Sequence, residues 1–102
     1  MAIEQRNAVY AEILPARSLF IGPPEYALAQ LARRESSVAL PDRLSGKADP
    51  ALVAMALERD VPVFMAAPEA RRFLAANPGF LEKARRGPEG AELVEIGRLG
   101  EP

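Results

Sequence analysis

The chain has no cysteine, no histidine and no tryptophan. Without cysteine there is no disulfide, no thiolate metal site and no thiol nucleophile. Without histidine the commonest general base and the commonest metal ligand are both missing. Neither GxGxxG nor GxxxxGK[ST] occurs, so no nucleotide-binding motif is present and neither a cofactor nor a metal is expected. An excess of charge of one sign is lacking too. Thirteen basic side chains stand against fourteen acidic ones, and a net charge of −1 gathers neither nucleic acid nor anionic lipid. Long apolar runs are absent: nothing nears the roughly 20 residues that span a bilayer. Met1-Ala2-Ile3-Glu4-Gln5-Arg6 has no basic region ahead of an apolar core, so the expected location is the cytoplasm.

Asparagine and glutamine number two each, and the two lysines are outnumbered by eleven arginines. With ten prolines, that usage suits a heat-adapted or GC-rich source. Of the 102 residues 19 are alanines, which predicts a thin core in which helices approach a sheet closely. The length allows one domain, 1–102, burying roughly 60–70% of the unfolded chain's surface.

The most organised stretch is 49–73, DPALVAMALERDVPVFMAAPEARRF. Asp49 is a helix cap, Pro50 suits the first helical position, and an apolar turn follows. Val61-Pro62-Val63-Phe64-Met65-Ala66 is a continuous apolar run, as expected of a strand covered on both faces. Pro68-Glu69 then opens a second helix with Ala70, Phe73 and Leu74 inward. A covered strand between helices predicts an α/β sheet that is at least partly parallel.

Upstream, Val9, Ala11 and Ile13 alternate with Tyr10 and Glu12, which predicts a half-exposed edge strand ending at Pro15. Ser18-Leu19-Phe20-Ile21-Gly22 predicts a buried strand. Residues 23–34 predict a helix with one apolar stripe of Ala27, Leu28, Leu31 and Ala32. Ser36-Ser37-Val38-Ala39-Leu40 predicts a third strand. Downstream, Asn77-Pro78 predicts a short helix with Phe80, Leu81 and Ala84 inward, closed by Gly87-Pro88, and residues 91–96 predict a last strand. The expected fold is a single compact α/β domain of about five short strands with three to four helices.

In an open α/β sheet, ligands gather beyond the carboxyl ends of the strands, here the segments 22–25, 41–47 and 66–69. A phosphate cradle is disfavoured there, because Pro23, Pro24 and Pro68 delete backbone donors and Glu25 and Glu69 add negative charge. Asp42, Arg43, Ser45 and Lys47 offer an acid, a fork donor, a hydroxyl and an amine around Gly46. Glu25 and Glu69 form a paired-carboxylate site if their loops are neighbours, and complement the helix dipoles otherwise. These six are the candidate ligand-binding residues; none is assigned a catalytic role. The Arg-Arg pairs at 33–34, 71–72 and 85–86 read as solvated faces, and Tyr10 and Tyr26 read as packing.

VPVFMAAPEARRF and AELVEIGRLGE resemble the small sulfur-relay proteins of the DsrE/DsrF-like type. In that family a short strand leads through a cysteine into a helix rich in Ala and Arg. The resemblance implies a compact α/β domain that assembles as homo- or hetero-oligomers. At the position of the family's persulfide-carrying cysteine this chain has Met65-Ala66-Ala67-Pro68, so thiol chemistry is unavailable to it. Three functions follow as expectations: a non-catalytic binding or assembly module forming a homo-oligomer, a small-ligand protein or enzyme using the 41–47 loop, and a thiol-free subunit of a sulfur relay.

Overall fold

The computed structural model describes residues 1–33, 37–39 and 48–100, with backbone only at Arg33 and 37–39. The chain opens with α1, Ile3–Ile13, where an edge strand was expected. Val9 and Ile13, two members of the alternation, are also four residues apart, a helical spacing, and the helix wins by what it buries. Asn7, Tyr10 and Leu14 fall at i, i+3 and i+7 and are all buried, with Val9 and Ile13 packed beside them. A strand would have turned Tyr10 outward. Gln5 reaches back to the amide of Ala2 at 3.2 Å and closes the first turn.

Strand β1, Leu19–Ile21, is wholly buried. It leads into α2, Pro24–Arg33, which starts on a proline as expected. The inward face of α2 differs from the expected stripe. Tyr26, Ala27 and Gln30 are buried, while Leu28 and Leu31 are 56% and 52% exposed. What turns the helix is its contact with α1, where the buried Gln30 amide donates to Asn7 O at 2.9 Å and Asn7 Oδ1 at 3.2 Å. Strand β2, Ser37–Ala39, runs parallel to β1.

Helix α3, Pro50–Glu58, is capped by Asp49, whose Oδ1 accepts from the Ala51 amide at 2.9 Å. It buries Val53 and leads to β3, Val63–Ala66, every residue of which is buried. Helix α4, Ala67–Ala76, follows at once and packs Ala70 and Phe73 inward. All of 49–73 thus takes the expected order of helix, covered strand and helix.

Residues 80–86 form a strand, β4 (Phe80–Arg86), and not the expected helix. Leu, Glu, Lys, Ala and Arg are helix formers, but seven residues are too few to hold a helix without tertiary support. Pairing decides instead: β4 runs antiparallel to β5, Leu93–Arg98, with a bulge between Glu82 and Ala84. Gly87 is the left-handed residue of the connecting turn, at φ 102°, rather than a helix cap. A Cβ there would strike the carbonyl oxygen of Ala91.

The sheet order is β2-β1-β3-β5-β4, parallel on both sides of β1 and antiparallel from β3 onward. Alternating strand residues feed two cores. Phe20, Phe64 and Leu93 join Tyr10, Leu14, Tyr26 and Ala27 under α1 and α2. Leu19, Ile21, Val63, Met65, Val94 and Ile96 join Val53, Ala70 and Phe73 under α3 and α4. The domain is therefore a mixed sheet between two helical layers. No helix among the described residues is long and apolar enough to cross a membrane.

Candidate functional site

Because β1 and β3 pair directly, with Phe20 opposite Phe64, their carboxyl ends lie side by side. Each end leads within a few residues into a helix with a proline in its first turn, and the first turns of α2 and α4 line one cleft of about 490 Å³. From α2 and its entry the cleft takes Pro23, Glu25 and Tyr26, and from the end of β3 and the start of α4 it takes Ala66, Ala67, Pro68, Glu69 and Arg71. Helix α1 contributes Arg6 and Tyr10, and the segment before β5 contributes Gly90 and Glu92.

Glu25 and Glu69, expected to meet if their loops were neighbours, do line this one cleft. Their surroundings differ. Glu25 is exposed, and its main-chain oxygen accepts from Asn7 Nδ2 at 3.1 Å. The Glu69 side chain is 16% exposed; Oε1 meets Arg72 Nη2 at 3.2 Å, whereas Oε2 is buried with no hydrogen-bond partner among the described residues. Asp42, Arg43, Ser45 and Lys47 lie outside the described residues.

Reading the sequence alone missed Arg6, Arg71 and Glu92. Arg6 ties three elements together. Its Nε donates to Gly90 O at 2.7 Å, Nη1 to the Tyr26 hydroxyl and Nη2 to Met1 O at 3.4 Å, while the guanidinium lies 5.6 Å from the Tyr26 ring centre. Nothing in the sequence marks this, since the contacts join residues up to 84 positions apart. Arg71 belongs to an Arg-Arg pair read as a solvated face, and the structure separates the two: Arg72 pairs with Glu69, and Arg71 lines the cleft. The pair at 85–86 is on β4, where Arg85 holds Glu82 at 2.8 Å and Glu92 at 3.3 Å.

Tyr10 and Tyr26 pack as expected, edge to face at 5.7 Å, but they also form the cleft wall. Burial pushes the Tyr10 phenol up to about 12; Arg6 opposes this, and Tyr26 and Glu69 add to it. At neutral pH Tyr10 is therefore a protonated donor. Among the described residues no three acidic, histidine or cysteine side chains are grouped to hold a metal ion. The cleft offers carboxylate acceptors, phenols and guanidinium donors, the groups that orient a small polar molecule. No protein-family model matches the chain, and no curated protein or solved structure matches it.

Proposed function

We propose that the chain is a non-catalytic binding module that holds a small polar molecule in the cleft at the carboxyl ends of β1 and β3. One observation carries the reading: two adjacent parallel strands open into a space of small-molecule size lined by carboxylates of Glu25 and Glu69 and the guanidinium of Arg71. Among the described residues the lining holds no serine, threonine, lysine, histidine or cysteine to serve as a nucleophile, and its carboxylates, phenols and guanidiniums are groups that hold and orient polar atoms. The test is an amide NMR titration of the whole chain with a set of small fragments spanning cationic, anionic and zwitterionic groups. Shifts concentrated at 22–26, 66–71 and 90–92 support the reading; shifts scattered elsewhere, or none, reject it.

A second reading, assembly into a homo-oligomer, is favoured by Leu28 and Leu31. They are exposed one turn apart on α2, an apolar pair that a second copy would cover. Light scattering at micromolar concentration decides it: a dimer or larger species that L28D/L31D converts to monomer supports assembly, and a monomeric wild type rejects it. The likeness to sulfur-relay proteins adds a variant of this reading in which the partner is a different chain. The strand end that bears the thiol in that family corresponds here to Met65-Ala66-Ala67-Pro68, of which the last three residues line the cleft, so the cysteine would come from the partner.

A further inference from the structure

The charged groups of the cleft divide by whether the protein itself answers them. Glu69 gives one oxygen to Arg72, and Glu92 gives one to Arg85, both cations outside the lining. The Arg6 guanidinium is spent on three uncharged oxygens and a ring face. Two groups are left over: among the described residues Glu25 and Arg71 have no ion pair.

That remainder has both signs. A simple anion drawn to Arg71 meets Glu25, Glu69 and Glu92, and no backbone cradle softens the repulsion, since Pro23, Pro24 and Pro68 remove amides from both helix starts. A simple cation drawn to Glu25 and Glu69 meets Arg6 and Arg71, neither of which is neutralised by a carboxylate of its own. A molecule carrying both charges leaves neither set unanswered. The space is ample, with a volume equal to roughly fifteen waters' share of the liquid.

Building on the reading of the cleft as a ligand site, we propose that its occupant is a small zwitterion of the amino-acid type. Its ammonium group faces the carboxylates of Glu25 and Glu69, and its carboxylate faces Arg71. Arg6 and Tyr26 form the rigid wall against which the chain between the two charges lies.

Three probes of equal chain length isolate the charge pattern: 4-aminobutanoate, butane-1,4-diamine and succinate, each titrated at low salt and followed by amide NMR. The zwitterion is expected to bind about tenfold more tightly than either of the others, the worth of one charge-assisted hydrogen bond. Two variants that keep a hydrogen-bonding amide cross the selectivity. E69Q removes the advantage over succinate, and R71Q removes the advantage over the diamine. E25Q, at an exposed position, repeats the first effect without touching a buried group. The inference is overturned if the diamine or succinate binds as tightly as the zwitterion, if both variants weaken all three probes alike, or if none of the three shifts the cleft. The underlying reading fails only when the broader fragment set leaves the cleft amides unshifted as well, so the two failures are distinguishable.

Discussion

At the scale of single residues, two positions tie local chemistry to the strand ends that form the cleft. Gly22 follows β1, and a Cβ built on it would lie 2.9 Å from the Phe20 ring, a side chain with no exposure at all. That ring is locked between Tyr10, whose centre is 5.8 Å away, and the sheet. G22A should therefore cost about 1–3 kcal/mol in chemical denaturation, the usual penalty of overpacking a filled core. Tyr10 gives a pH dependence whose sign is fixed by burial. Its phenol is raised from 10.0 to about 12 in the folded protein, so the folded state keeps its proton where the unfolded chain has lost it. The resulting stability is present in full below pH 10 and is lost as the pH climbs from 10 to 12, by about 1–3 kcal/mol in all. Urea midpoints measured across that window should fall for the wild type more steeply than for Y10F, which has no phenol to titrate.

At the scale of elements, the instructive contact is between α1 and α2. It rests on a buried polar pair, Asn7 and Gln30, in which Gln30 Oε1 itself has no partner among the described residues. Q30L leaves Asn7 Oδ1 without its donor, and N7L takes from Gln30 one of its two acceptors and from Glu25 O its donor. N7L or Q30L alone should cost about 2 kcal/mol, and the double variant less than the sum, because two apolar side chains need no partners. A double-variant cycle on denaturation free energies checks this, and strict additivity would show that the pair is not coupled. Helix α3 gives a simpler case. Its Asp49 cap satisfies the Ala51 amide, so D49A should cost about 1 kcal/mol, read from the thermal midpoint.

At the scale of the whole molecule, β5 joins the parallel part of the sheet to the hairpin, with β3 on one side and β4 on the other. Ile96 on this strand is fully buried opposite Val63. I96A should therefore cost about 2–5 kcal/mol while leaving one cooperative transition that coincides by circular dichroism and fluorescence. Two separate transitions would mean that the hairpin is an independent unit. The same architecture explains the address of the cleft: pairing of β1 with β3 brings the first turns of α2 and α4 to one cleft, and α1 closes the third wall.

How much of this was legible in the sequence depends on how far apart the deciding residues are. Segment 49–73 was readable because its signals are local: a capping aspartate, a proline that needs no amide, and an apolar run. The adjacency of Glu25 and Glu69 was readable only as a condition, since neighbouring strands bring their loops together and the sequence does not state strand order. Residues 8–14 and 80–86 were misread because over seven residues periods of 2 and 3.6 overlap; long-range partners broke the tie, Gln30 and Phe20 for α1 and the antiparallel β5 for β4. Arg6 carries no local mark at all, for its role comes from Gly90, 84 residues away. By itself the sequence determined that this chain brings no thiol and no imidazole of its own, since that depends only on which residues are present. Only the tertiary structure decided which acids and arginines share a cleft, because that is set by strand pairing and helix packing between segments far apart in the chain.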